Sequence, residues 1–238
     1  MSEKVVIVTG ANGDIGKPLV KALLEKEYIV AACVRDKKSV SLSENEQLTI
    51  FNCDFSSNES IKACIGELKK EYKYIYGLVN CVGIAHGGSF MMTKREDMQA
   101  VFSINYFSLL FFTQQIVRKM LKKRSGCIVN LASTSGILSD SGTLAYGASK
   151  AALIHSSKVM ASELGAFGIR VNAIAPAVVE SKMAGLMDEE SIKDLNNRAA
   201  LSTKIYPNEV VDMILYILSD SAVNITGQVI KIDRGVTY

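Results

Sequence analysis

Proline, histidine and paired cysteines are scarce in this chain. Three prolines and two histidines stand among its 238 residues. The five cysteines (33, 53, 64, 81 and 127) form no CxxC pair and have no histidine at ligand spacing. Their odd number argues against a disulfide frame, their spacing against a zinc site. Reduced thiols in a cytoplasmic compartment are therefore expected, with no metal. Charge of one sign is also lacking: 27 basic against 24 acidic residues leave a net +3, too little to imply a nucleic acid or an anionic membrane as partner. Long apolar runs are missing too, since patches such as Tyr106–Phe112 fall far short of a membrane span. The opening MSEKVVIVTG reaches Thr9 and Gly10 after only four apolar residues, so no signal peptide is expected. Repeats, low-complexity tracts and Pro/Gly/Ser linkers do not occur, which leaves one domain over 1–238.

What is present describes a folded protein, 48% hydrophobic and 21% charged. Val5–Val8 is a short apolar run rich in β-branched residues, the pattern of a strand covered on both faces. Tyr28–Val34, Leu48–Phe51, Gly77–Val82, Cys127–Ala132, Ile169–Ile174 and Gln228–Ile232 are the other expected strands. Between them lie helical patterns. One follows Gly16 with Leu19, Val20, Leu23 and Leu24; others cover 57–72 with Ile61, Ile65 and Leu68, then 97–121 as one or two helices, 146–164 and 208–219. Strands alternating with helices predict right-handed βαβ units and a single α/β domain. Its sheet is parallel and doubly wound, of Rossmann type, with helices on both faces and ligands at the carboxyl ends of the strands.

The strongest chemical signal is STSGILSDSGTLAYGASK, residues 133–150. If Tyr146 opens a helix, Lys150 falls one turn later on the same side. A phenol beside a fixed ammonium is an acid–base device, because the cation favours the phenolate and draws its pKa towards neutrality. Ser133 stands thirteen residues before Tyr146 and could hold an oxygen that the phenol protonates. Alone, YxxxK is common in cores, where tyrosine caps apolar groups and lysine snorkels.

Two further signals follow predicted strands. Thr9-Gly10-Ala11-Asn12-Gly13-Asp14-Ile15-Gly16 is a glycine-rich turn opening a helix, where backbone N–H groups and the helix N-terminus can face a phosphate. At the end of the second strand, the place of an acidic residue for a ribose 2′-hydroxyl is taken by Val34. Arg35 follows, then Asp36, Lys37 and Lys38. Arginine there accommodates a 2′-phosphate, which favours NADP(H) over NAD.

With these residues in view, the chain resembles the short-chain dehydrogenase/reductase family from end to end. In overall pattern it is most like the 3-oxoacyl-acyl-carrier-protein reductases. Thr9, Gly10 and Gly16 match the family's TGxxxGxG turn, with Asp14 at its middle glycine and Gly13 one place earlier. Asp54–Phe55 matches the pair that contacts adenine. Asn80-Cys81-Val82-Gly83 stands for NNAG. Asn105, Ser133, Tyr146 and Lys150 match the four catalytic positions. Pro176–Ala177 replaces PG; Val179 and Ser181 match the residues that hold the carboxamide; Ile225–Gln228 matches ITGQ; and Asp233-Arg234-Gly235 replaces DGG.

The resemblance implies NADPH-dependent reduction of a ketone, with a 3-oxoacyl thioester first among substrates. Tyr146 would protonate the oxygen, Ser133 orient it, Lys150 lower the Tyr146 pKa and hold the nicotinamide ribose, and Asn105 position a water that relays protons. It also implies a variable substrate lid over about 181–206, carrying Met183, Leu186, Met187, Leu195 and Leu201. A homotetramer or homodimer through the small-residue helix 146–164 is implied likewise. Other readings are a sugar-linked or other small ketone as substrate, or a NADP-binding regulatory protein without turnover. His86 and Met91–Met92 are candidate mouth residues with equally plain turn and packing readings. His155 is expected to be structural, and Lys122–Arg124 a solvated helix end.

Overall fold

The computed structural model describes residues 4–40, 42, 45–186 and 189–236. Seven parallel strands form one sheet in the order β3-β2-β1-β4-β5-β6-β7. They are β1 (Val5–Thr9), β2 (Ile29–Val34), β3 (Leu48–Asn52), β4 (Gly77–Asn80), β5 (Gly126–Leu131), β6 (Ile169–Pro176) and β7 (Val229–Ile232). The sheet is parallel and doubly wound, as the alternating pattern predicts.

Successive side chains of each strand go to opposite faces, and both faces are covered. Val5 and Ile7 join one core with Phe51, Ile61, Leu68, Phe112, Ile116 and Leu153. Val6 and Val8 join the other with Leu19, Leu23, Ile214, Ile217 and Leu218. The first face is packed by α2 (Asn58–Glu71), α4 (Leu109–Leu121) and α5 (Leu144–Gly165), the second by α1 (Gly16–Glu25) and α7 (Pro207–Leu218). The central strand β1 is buried along its whole length, which is why Val5–Val8 reads as a continuous apolar run.

Three elements refine the sequence reading. The stretch expected to hold one or two helices is one continuous run, Arg95–Leu121: α3 (Arg95–Phe102), a π-helical turn (Ser103–Ser108) and α4. By length and hydropathy this run could cross a membrane. Its apolar stripe, with Val101, Leu109, Phe112, Ile116 and Met120, is instead buried within the fold. Helix α5 begins at Leu144, so Tyr146 lies inside its first turn. The segment after β6 contains a helix, α6 (Glu189–Asn197), that periodicity did not reveal. Met187 lies outside the described residues.

The strand order reverses between β1 and β4, which leaves a crevice at their carboxyl ends. There the Thr9 hydroxyl accepts from the N–H groups of Cys81 (3.1 Å) and Val82 (3.3 Å), tying the two strand ends together.

Candidate active site

Ser133 follows β5 and begins a short turn, accepting at Oγ from the Ser135 N–H at 3.2 Å. That turn lies directly on the start of α5, and two glycines allow it. A Cβ on Gly136 would meet the Ala151 nitrogen at 2.7 Å, and one on Gly147 would meet the Ser135 carbonyl oxygen at 2.5 Å. The approach brings the Ser133 hydroxyl beside the Tyr146 phenol, whose pKa it draws down.

Lys150 is buried, donates from Nζ to the Leu131 carbonyl at 2.8 Å, and lies 5.7 Å from the centre of the Tyr146 ring. Burial lowers its pKa from 10.5 to about 8. Burial also raises the Tyr146 phenol, and the group that draws it down is Ser133. Desolvation dominates, and the ammonium is turned towards a carbonyl.

The shift makes a stability prediction. Below about pH 8 Lys150 is protonated whether the chain is folded or unfolded, and the cost of burying the charge is present in full. Between about 8 and 10.5 only the unfolded chain keeps the proton, so on this group's account stability rises with pH through that window. Lys150→Met should then raise Tm at pH 7 by roughly 2–5 °C and by less at pH 10, because about 3 kcal/mol of desolvation outweighs the lost hydrogen bond. Calorimetry at the two pH values checks this, and a lower Tm at pH 7 would contradict it.

Asn105 sits in the π-helical turn, a distortion that often marks functional positions. It is fully buried. Its Oδ1 accepts from the Ile84 N–H at 2.8 Å, and its Nδ2 donates to the Ile84 carbonyl at 2.9 Å and to Ser149 Oγ at 3.2 Å. Ser149 in turn donates to the Tyr146 carbonyl at 2.7 Å. Asn105 thus clamps the loop after β4 to the first turns of α5. A Cβ on Gly83 would lie 3.4 Å from both Asn105 Oδ1 and Lys150 Nζ, so all three meet at one point. The Asn80 side chain faces the interior, donating to Thr113 Oγ1 (3.0 Å) and Asn130 Oδ1 (2.8 Å), and Asn130 donates to Ser157 Oγ (2.8 Å).

On the other side of the crevice, Gly10 (φ +64°) and Gly16 shape the glycine-rich turn, where a Cβ on Gly16 would fall 2.2 Å from the Gly10 carbonyl oxygen. A cleft of about 470 Å³ opens beside it, lined by Asn12, Gly13, Asp14, Lys17, Ser181 and Lys182 among others. Asp14, where the family pattern has glycine, turns towards the segment after β6: its Oδ2 accepts from the Lys182 N–H at 2.7 Å. Ile15 packs against the core on the α1 and α7 face.

At the end of β2, Arg35 is exposed and Asp36 Oδ1 accepts from the Lys38 N–H at 2.9 Å. The Asp54 carboxylate accepts from Ser56 N–H (2.9 Å) and Oγ (2.7 Å), which holds its pKa below the usual range. Phe55 is buried against Phe112. Pro176 ends β6, buried Val179 pairs with Ile205, and Ser181 Oγ accepts from the Ala184 N–H at 3.3 Å. His86 lies with Nε2 3.6 Å from Asp97 Oδ2, while Met91, Met92, His155 and Lys122–Arg124 are exposed.

A family model described as "Enoyl-(Acyl carrier protein) reductase", of the short-chain dehydrogenase type, matches residues 10–237. The chain belongs to the short-chain dehydrogenase/reductase family. It is an oxidoreductase of the kind that acts on CH–OH and C=O groups. A 3-oxoacyl-[acyl-carrier-protein] reductase FabG of Thermotoga maritima is 33% identical over 239 residues, covering 98% of this chain and 97% of that protein. Among solved structures, 4-hydroxyisoleucine dehydrogenase complexed with NADH has a TM-score of 0.91 at 29% identity, with 99% of each chain covered. ElxO with NADP bound has a TM-score of 0.89 at 25% identity, with 98% of each chain covered.

Several residues of this short-chain reductase escaped the sequence reading: Ser149, Thr113 and Asn130 behind the loop, Asp14 as a partner of Lys182, and Asp140 with Arg198. The two serine and threonine hydroxyls also bond to carbonyls of their own helices, as such residues do anywhere. Only the long-range partner sets them apart, and it leaves no local pattern.

Proposed function

We propose that this enzyme reduces a ketone to a secondary alcohol with NADPH, and that a 3-oxoacyl thioester is its first candidate substrate. The observation that carries the reading is the Ser133 hydroxyl set beside the Tyr146 phenol, with buried Lys150 Nζ 5.7 Å from the centre of the Tyr146 ring, at the carboxyl ends of the strands. Burial keeps the phenol protonated at neutral pH, which suits a general acid. Tyr146 gives its proton to the carbonyl oxygen. Ser133 holds that oxygen, and Lys150 stands ready to carry charge beside the phenolate that results. Asn105 fixes the loop over Lys150; one lone pair of its Oδ1 is left to orient a water for proton return.

A nicotinamide cofactor, when bound, supplies the hydride. The residues fit such a group: Gly10 and Gly16 are bare where a side chain would collide with backbone, and the neighbouring cleft is lined by Asn12 and Gly13. Asp54 and the backbone of Phe55 would meet the adenine, Tyr146 and Lys150 the ribose, and Val82, Gly83, Pro176, Val179 and Ser181 the nicotinamide end. Arg35, with Lys37 and Lys38 beyond it, favours a 2′-phosphate, and Asp36 opposes it less because its carboxylate is engaged with the Lys38 N–H. Exposed Phe107 on the π-helical turn and Val159 on α5 suit a homo-oligomeric contact.

The test is NADPH and NADH oxidation with an acetoacetyl thioester and a set of keto-sugars and small keto-acids. NADPH-dependent thioester reduction is expected. Arg35→Asp should lower kcat/KM for NADPH by about 10–100-fold while sparing NADH. Equal use of both cofactors by the parent, untouched by Arg35→Asp, would refute the NADPH assignment. Turnover of small ketones alone would move the substrate class.

A further inference from the structure

Two arginines tie down the segment after β6, and neither has a part in the proposed chemistry. Arg198, just beyond α6, donates from Nη2 to Asp140 Oδ1 at 2.6 Å, and its Nε lies 3.2 Å from Asp194 Oδ2. Asp140 stands in the loop between Ser133 and Tyr146, so this contact joins α6 to the loop that leads into the acid. The paired side chains are only 26% and 21% exposed, where solvent screening is weaker than at the open surface.

Arg234 approaches the same segment from the turn after β7. Its Nη1 donates to the Thr203 carbonyl at 2.5 Å and its Nη2 to Asn196 Oδ1 at 2.8 Å, and its own carbonyl accepts from the Leu201 N–H at 3.0 Å. The turn is closed by the Val236 N–H to the Asp233 carbonyl at 3.1 Å and by the Gly235 N–H to Asp233 Oδ1 at 3.0 Å. Its two central residues both have positive φ, +59° at Arg234 and +70° at Gly235. Glycine or asparagine adopts that backbone cheaply. An arginine is strained there because its Cβ crowds the following carbonyl. Strain of this kind persists where the rest of the structure requires it.

We propose that Arg234 and Arg198 are positioning residues that hold the stretch 194–205 closed over the substrate side of the site. Arg234 keeps a left-handed backbone because its guanidinium is the tether. The far end of the stretch is anchored at Ile205, whose carbonyl accepts from the Glu180 N–H at 2.9 Å. The tether stands on these contacts alone; its effect on substrate rests on the ketone-reductase reading.

Arg234→Gly and Arg234→Asn both remove the guanidinium while suiting the backbone. In each, Tm is expected within about 2 °C of the parent, since relieved strain offsets lost contacts. NADPH affinity, read by fluorescence, should change less than about 2-fold, while KM for the ketone rises roughly 5–20-fold at nearly constant kcat. Amide exchange in peptides covering 194–205 should quicken about 10-fold or more. Arg198→Gln and Asp140→Asn should raise KM alike, and the double variant no further than either single one. Unchanged exchange and KM in Arg234→Gly would overturn the proposal, as would a fall in Tm beyond about 5 °C accompanied by loss of NADPH affinity. If the parent turns over no ketone, the functional reading fails, and the exchange rates still decide the tether.

Discussion

Tyr146→Phe is expected to lower turnover by about 10³-fold or more while leaving cofactor affinity within roughly 2-fold, because it deletes the proton donor and leaves Lys150 and the glycine-rich turn to hold the cofactor. The ring stays, so the packing of α5 against the Ser133 turn stays with it. Ser133 remains held by the Ser135 N–H at 3.2 Å. Single-turnover kinetics with saturating NADPH and separate fluorescence titrations resolve the two effects. Retained turnover would remove Tyr146 from the reaction. Parallel loss of cofactor binding would point to collapse of the site rather than loss of the acid.

Gly16→Ala should be the most damaging conservative change on the cofactor side. The new methyl would fall 2.2 Å from the Gly10 carbonyl oxygen and 2.8 Å from the Ala11 Cα, and both are backbone atoms that cannot swing aside. The turn between β1 and α1 would have to open, costing about 3 kcal/mol and lowering Tm by roughly 6–12 °C. NADPH affinity should fall by more than about 10-fold, since the turn that faces the phosphates is the part displaced. Gly13→Ala makes the comparison: its methyl would meet only the Gly10 carbonyl oxygen, at 3.2 Å, and the loss should be far smaller. Equal stability of the two variants, read by thermal unfolding, would contradict the steric account.

The central strands could be read from local residues because positions covered on both faces favour apolar, β-branched side chains. Val5–Val8 and Cys127–Val129 satisfy that with no knowledge of their neighbours. The glycine turn, Arg35 and the Ser133, Tyr146 and Lys150 set were equally legible, each lying within one short segment after a strand. Helix α6 was not, because in nine residues only Ile192 and Leu195 are apolar, and one such pair is too short to establish a period. The single run from Arg95 to Leu121 reads as one helix or two, since a π-helical turn interrupts the 3.6-residue period without breaking the helix.

By itself, then, the sequence determined a parallel doubly wound sheet, the place of its crevice and the residue types at its mouth, because period, turn chemistry and spacing are local properties. Tertiary structure alone decided what those residues do to one another. Burial raises the Tyr146 phenol; Asn105 is spent mostly on Ile84; Asp14 reaches across to Lys182; and Arg234 bonds to Thr203 and Asn196. Each depends on desolvation or on a contact between residues distant in the chain, and neither leaves a mark on any short stretch of sequence.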